Sequence, residues 1–346
     1  MDESRIGVGF IGAGAIVRQR HLPGLKQIPG VALVAVANRS RESAERVAAQ
    51  FGISTVYDDW REVLDDPGVD AVVIGTWPYK HSEFGIAALE AGKHVFTQAR
   101  LAMDAADARR MAKAAAASGL TTMVSPPPHG MRVEPTVVRY VRAGVLGDLH
   151  HVLVRHFTAA FLDPKTPLHW RQVAEFSGLN TLTVGILYEV VGRWFGYAKK
   201  VQAVDATFTR DRPLAGGSDS GKVDRPDAVF VLATMESGAI ASFLFSGSAG
   251  APGGDSIEAY GSQGSLRYLM DSDRLLMARA PEWEVAEVEV PPEEEGRWRA
   301  EEEFIQAIRE GRSGHPSWEE GVRYMRFVEA VERAARTGGK IPISSV

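Results

Sequence analysis

The hydrophobic positions along the chain follow two patterns. Up to about residue 124 they come as short, nearly continuous apolar runs. These are RIGVGFI (5–11), VALVAVAN (31–38), Ala71 to Thr76, KHVF (93–96) and LTTMV (120–124). Between them lie amphipathic stretches of helical period: AIVRQRHLPGLKQ, RESAERVAAQFG closed by Gly52, a short segment in DDWREVLDD, HSEFGIAALEAG, and the alanine-rich DAADARRMAKAAAASG. Strands that are apolar on both faces, alternating with helices, predict parallel βαβ units with helices covering the sheet on both sides. The expected first domain, residues 1–124, is an α/β Rossmann domain with a doubly wound parallel sheet.

SPPPHG (125–130) interrupts this rhythm. Consecutive prolines continue neither a helix nor a central strand, so the domain boundary is placed there. The second domain, 125–346, starts with the helical EPTVVRYVRAGVLG. Runs that alternate apolar and polar residues follow: HHVLVRHF, AVFVLATM, AIASFLFSG and IEAYGSQGSLRYL. Alternation predicts strands with one covered face, hence an α+β domain with a large, mostly antiparallel open sheet. WEEGVRYMRFVEAVERAARTG is a terminal helix expected to pack back near the first domain. LAGGSDSGKVDRPD (214–227) reads as a loop, and PPEEEGRWRAEEEF (291–304) as a solvated acidic surface.

Composition narrows the function. The chain has 346 residues, a net charge of −5 and no cysteine. The mild charge gives no reason to expect nucleic acid as a partner. Without cysteine there is no disulfide, thiolate metal site or cysteine nucleophile. No signal-peptide pattern opens the chain, and no apolar run approaches the ~20 residues that span a bilayer. The expected setting is the cytoplasm, with no membrane partner. No histidine–carboxylate cluster has metal-ligand spacing, so no metal is expected.

The strongest local signal is GFIGAGAIV. Gly12 suits a tight turn after the first strand. Gly14 lets the backbone approach a pyrophosphate seated on the helix N-terminus, beside Ala13, Ala15 and Ile16. The third glycine position of this motif holds Val17. At the end of the second strand an acidic residue would select NAD by binding the ribose hydroxyls. Asn38, Arg39, Ser40 and Arg41 stand there instead. Arg39 can stack on adenine or pair with a 2′-phosphate, so NADP is favoured, with NAD as the alternative.

Together these stretches, with VVIGTWPYKHSEFGIAALEAGKHVF, RAGVLGDLHHV, IEAYGSQGSLRY and RTGGKIPI, resemble the Gfo/Idh/MocA family over nearly the whole chain. The resemblance implies an NAD(P)-dependent oxidoreductase acting on a sugar, polyol or related ketone. It also implies a homodimer or homotetramer formed through the second domain's open sheet. It places His81 beside the cofactor; Thr76, Trp77, Pro78 and Gln98, after the fourth and fifth strands, complete the expected cofactor set.

The family's Glu-Lys-Pro, whose lysine lies near the nicotinamide, reads Gln98-Ala99-Arg100 here. Its aspartate and histidine, four apart on one helix face, fall on Thr183 and Leu187. Alcohol oxidation needs a base and carbonyl reduction an acid, and alanine and leucine can be neither. The candidate replacements are Tyr188, His129 and Thr183, with Arg100 as a binder of a carboxylate or oxyanion that cannot act as a base, and Lys80, His156, Trp170 and Arg171 on the substrate side. Each also has a plainer reading: Tyr188 as a core aromatic, Lys80 as a solvated lysine, His129 as a loop residue. Two other functions fit the missing groups: a non-catalytic dinucleotide-binding sensor or partner subunit, and a redox-neutral enzyme with bound cofactor.

Overall fold

The computed structural model describes residues 5–126, 131–217 and 219–346. Its contacts divide the chain into two units. The first runs to residue 126 and also takes in Arg299–Arg323; the second runs to Trp298 and ends with Tyr324–Val346.

The first unit starts with β1 (Ile6–Ile11). A π-helical turn, Val17–His21, then runs directly into α1 (Leu22–Lys26). The alternation continues through β2 (Val31–Ala37), α2 (Arg41–Phe51), β3 (Thr55–Tyr57), α3 (Trp60–Asp65), β4 (Ala71–Ile74), α4 (His81–Glu90), β5 (His94–Thr97), α5 (Ala105–Ser118) and β6 (Thr122–Val124). The strands form one sheet in the order β3-β2-β1-β4-β5-β6, with every pair parallel. This is the doubly wound Rossmann arrangement that the apolar runs predict. Chain order reverses beside β1, and in open α/β sheets ligands bind outside the carboxyl ends of the strands at that point.

Local signals set the helix ends. Ser40 caps α2 through the amide of Ser43, and Asp104 caps α5 through that of Asp107. Asp59 and Glu62 form a capping box on α3. Gly52 and Gly119, both at positive φ, stop α2 and α5, a conformation that costs glycine nothing.

The second unit holds α6 (Glu134–Arg142), β7 (Leu149–Phe157), α7 (Ala174–Ser177), α8 (Val184–Phe195) and β8 (Ala198–Ala206). A ribbon of β9 (Asp211–Pro213) and β10 (Ser220–Lys222) follows, so part of the stretch read as a loop is strand. Then come β11 (Ala228–Met235), β12 (Ile240–Ser246), β13 (Ser256–Gly261), β14 (Gly264–Leu269), β15 (Arg274–Arg279) and β16 (Ala286–Glu287). The chain closes with α9 (Ala300–Glu310), α10 (Trp318–Thr337) and β17 (Ile341–Pro342). The large sheet runs β16-β15-β14-β13-β7-β12-β11-β8-β17. Among the described residues of this sheet only β7 and β12 pair in parallel.

One face of this sheet packs under helices: Tyr188 of α8 stacks on Phe327 of α10 at 3.6 Å and meets Phe243 of β12 edge-on. The other face leaves Val204, Phe230, Leu232 and Ile240 exposed.

α9 belongs to the first unit, and its first turn corrects the sequence expectation. Within the run read as solvated, Ala300, Glu301 and Phe304 are buried. Trp318, at the start of α10, is also in the first unit; its indole donates to Thr97 Oγ1 and to the Met123 carbonyl, both at 3.2 Å. Among the described residues no helix is long and apolar enough to cross a membrane.

Candidate dinucleotide and proton-transfer sites

β1 delivers the chain into the glycine turn at the carboxyl edge of the parallel sheet. Gly12 has φ +82. Gly75, just past β4, lies against it: a Cβ there would sit 2.2 Å from the Gly12 carbonyl oxygen and 2.3 Å from Val17 Cγ2. Val17 occupies the space where the dinucleotide motif places its third glycine, and Gly75 yields that room from the other side. The Asn38 side chain pins the turn: its oxygen accepts from the Ala13 amide at 2.6 Å and its nitrogen donates to Ser43 Oγ.

Gly14, Ala15 and Ile16 are exposed. A Cβ on Gly14 would meet only the Gly75 oxygen, at 3.6 Å, so nothing in the protein demands glycine there. The amides of the helix's first turn have no intrahelical acceptor. Thr76 Oγ1 is buried without a partner among the described residues. An exposed cradle of amides with space above Gly14 fits a dinucleotide pyrophosphate.

The end of β2 differs from its sequence reading at one residue. Arg41 is shared between Asp58 (2.7 Å) and Glu45 (2.9 Å), so ion pairs at the surface of α2 already occupy it. Ser40 is engaged as the α2 cap. Arg39 is exposed and has no hydrogen-bond partner among the described residues.

His81 opens α4 fully buried. Its ring nitrogens lie 3.0 Å from the Leu101 and Thr76 carbonyls, bridging the segments that follow β4 and β5. Burial holds its pKa below the ordinary range, so the ring is neutral and donates to one of the two carbonyls. Pro78 is buried, and Trp77 is the residue preceding its short 3₁₀ turn. Lys80 corrects its substrate-side placement. It pairs with Glu83 at 2.6 Å and lies near the Tyr79 and Phe84 rings, which is the solvated reading.

Gln98 follows β5. Its side-chain nitrogen contacts His21 Nε2, and His21 Nδ1 lies 2.5 Å from Glu301 Oε1. His21 is fully buried and Glu301 nearly so. Arg100 is buried too. His21 and Glu301 were not singled out in the sequence. The available signal was the spacing of Glu301 with Phe304 and Ile305, which puts the glutamate on the helix's apolar face.

In the second unit, Thr183 precedes α8 and makes no cap. Its hydroxyl lies 3.2 Å from His156 Nδ1 on β7. His156 Nε2 is 3.9 Å from the carboxylate of Asp255, which is held in turn by the Phe157 amide at 2.7 Å. Leu182, just before Thr183, has φ +47. That left-handed conformation costs a non-glycine residue about 1–2 kcal/mol and tends to be retained where function needs it. The His156 and Asp255 side chains are 22 % and 11 % exposed, so the histidine reaches solvent. Asp255 had no sequence signal, being brought to His156 only by sheet pairing.

Leu187 is buried. Tyr188 is corrected from candidate catalyst to core residue: it is 1 % exposed, and its hydroxyl accepts from the Ala198 amide at 2.9 Å. Trp170 and Arg171 sit in a short 3₁₀ turn with the guanidinium 4.4 Å above the indole, and the His169 ring lies 5.6 Å from Trp170. His129 lies outside the described residues. No group of three or more metal-ligating side chains gathers among the described residues.

Residues 6–125 match the oxidoreductase-family model with an NAD-binding Rossmann fold, and residues 136–267 match the GFO/IDH/MocA C-terminal domain. The levoglucosan dehydrogenase of Pseudarthrobacter phenanthrenivorans is 26 % identical over 374 aligned positions, covering 95 % of both chains. The crystal structure of an oxidoreductase domain protein from Kribbella flavida superposes with a TM-score of 0.90 at 26 % identity, covering 98 % of this chain and 99 % of that one. A levoglucosan dehydrogenase complex with NADH and L-sorbose superposes at 0.87 with 25 % identity, again covering 98 % and 99 %. The two matched domains occur in order and span most of the sequence: the chain belongs to the Gfo/Idh/MocA family of oxidoreductases.

Proposed function

We propose that this oxidoreductase oxidises a hydroxyl of a sugar or related polyol, or reduces the corresponding ketone, with Thr183 and His156 as its proton carriers. The observation that carries this reading is the 3.2 Å contact between Thr183 Oγ1 and His156 Nδ1. It puts a proton acceptor beside the residue aligned with the family's aspartate, in a chain whose family lysine and histidine positions hold Ala99 and Leu187.

Residues 12–16 and Thr76 would bind a nicotinamide dinucleotide, which supplies the hydride acceptor or donor when bound, while Asn38 and buried His81 hold the segments that carry them. In oxidation, Thr183 takes the substrate hydroxyl proton as its own proton passes to His156 Nδ1. The Nε2–H of His156 then points toward the Asp255 carboxylate, 3.9 Å away. The partly exposed ring releases the proton to solvent. Reduction runs the same steps backward. The test is absorbance at the reduced nicotinamide band with NAD⁺ or NADP⁺ and a panel including levoglucosan, L-sorbose and inositol. Turnover of any member supports the reading. Tight cofactor binding with no turnover favours a dinucleotide-binding sensor, the function that Ala99 and Leu187 favour.

For the cofactor, NADP is the finer proposal, supported by exposed Arg39 and by the lack of a carboxylate in residues 38–41. Against it stands the NADH in the similar levoglucosan dehydrogenase structure. Replacing Arg39 with alanine should weaken NADPH about 10-fold, as expected for one charge-assisted contact, and leave NADH within twofold. Equal effects on both, read by nicotinamide fluorescence, would remove the 2′-phosphate from the account.

The open sheet face bearing Phe230, Leu232 and Ile240 is the proposed contact with a second copy of this chain, the role the family resemblance implies. Light scattering on the eluting protein should give a dimer or tetramer, and Leu232→Lys should shift it toward monomer. A monomeric wild type would end this proposal.

A further inference from the structure

Gln98 stands where the family has the glutamate of Glu-Lys-Pro, and the residues behind it determine what it can present. Glu301 is 3 % exposed, in the first turn of α9, and Gly24 makes room for it. A Cβ at residue 24 would lie 2.9–3.0 Å from the Glu301 carboxylate and Cγ. The carboxylate accepts from His21 Nδ1 at 2.5 Å. The ring packs edge-on against Phe96 at 4.8 Å.

A His21 ring whose single proton sits on Nδ1, facing the glutamate, can only accept at Nε2. The Gln98 amide group must then donate there through its nitrogen, which fixes its orientation. The Gln98 oxygen is turned away from His21 and has no partner among the described residues.

We infer that Gln98 is a cofactor-positioning residue, its amide oxygen held as an acceptor for the nicotinamide carboxamide by the buried His21–Glu301 pair. This rests on the dinucleotide reading above. A neutral acceptor at the carboxyl end of β5 suits an amide N–H donor. A carboxylate there would add charge, but Glu301 already sits in the core, one imidazole away.

Two measurements test it. Nitrogen NMR of ¹⁵N-histidine-labelled protein, without cofactor, should find His21 neutral with Nδ1 protonated, the tautomer disfavoured in free histidine. An Nε2-protonated or doubly protonated ring would overturn the relay whatever the protein binds. NADH titration is the second measurement. Gln98→Ala should weaken binding about 3- to 10-fold, one neutral hydrogen bond. Glu301→Gln, which still accepts from Nδ1, should stay within twofold. Glu301→Ala should match Gln98→Ala, and the double variant should be no worse than Gln98→Ala alone, because both act through one amide. Losses that add, or a silent Gln98→Ala, would overturn the positioning role. A wild type with the expected tautomer that binds neither NADH nor NADPH would sink both this acceptor role and the dinucleotide reading. The expected tautomer, NADH binding and no turnover would sink the oxidoreductase reading alone.

Discussion

His156→Gln should lower turnover about 10²- to 10⁴-fold and leave NADH affinity unchanged, the range expected when a general base is removed. Glutamine is close in size to the imidazole and still hydrogen-bonds to Thr183, but it cannot take the proton. The partly exposed position tolerates the change, so the melting temperature should move little. Thr183→Val should cost a similar factor by breaking the relay at its first atom. Thr183→Ser restores the hydroxyl and should recover most activity, which separates proton transfer from packing. The distinguishing readout is the division between constants, with kcat falling and cofactor affinity held. If His156→Gln kept full turnover, Thr183 and His156 would be structural neighbours only, and the proton would have to travel by another route.

Much of this architecture was legible because burial leaves a simple mark. β1, β4 and β5 are buried on both faces, and their apolar runs announce a parallel sheet. Alternation along β11 and β12 announces a sheet with one covered side. The glycine turn, too, could be read from residues adjacent in the chain.

What could not be read depends on residues far apart in sequence. His21 and Glu301 are 280 positions apart, and an acidic run reads as solvent until one of its members is seen facing a histidine. The Thr183–His156 pair joins a helix start to a strand end. Tyr188 shows the converse error. Next to a vacated catalytic slot it reads as a replacement, but one step along a helix turns a side chain by about 100°. Here that step carries it into the stack with Phe327.

Gly75 is the residue whose replacement should damage cofactor binding most directly. It lies just beyond the end of β4, and what limits it is backbone. A methyl group would be placed 2.2 Å from the Gly12 carbonyl oxygen and 2.3 Å from Val17 Cγ2. A flexible side chain could move aside; the Gly12 carbonyl cannot without disturbing the turn. Asn38 holds that turn through the Ala13 amide, and the Gly12 amide itself bonds to the Ala37 carbonyl at 2.9 Å. Gly75→Ala should therefore push the turn outward and misplace the first-turn amides that would meet the pyrophosphate.

Overpacking of this kind costs about 1–3 kcal/mol of stability. NADH affinity should drop by at least about 10-fold as two or more amide contacts are lost. Gly14→Ala is the natural control, since its Cβ meets no protein atom closer than 3.6 Å. It should leave the melting temperature nearly unchanged and weaken NADH through the ligand alone. A Gly75→Ala protein with wild-type melting and wild-type NADH affinity would mean that β4 and the glycine turn can separate freely. The cradle would then not be the rigid anion site from which the dinucleotide reading is argued.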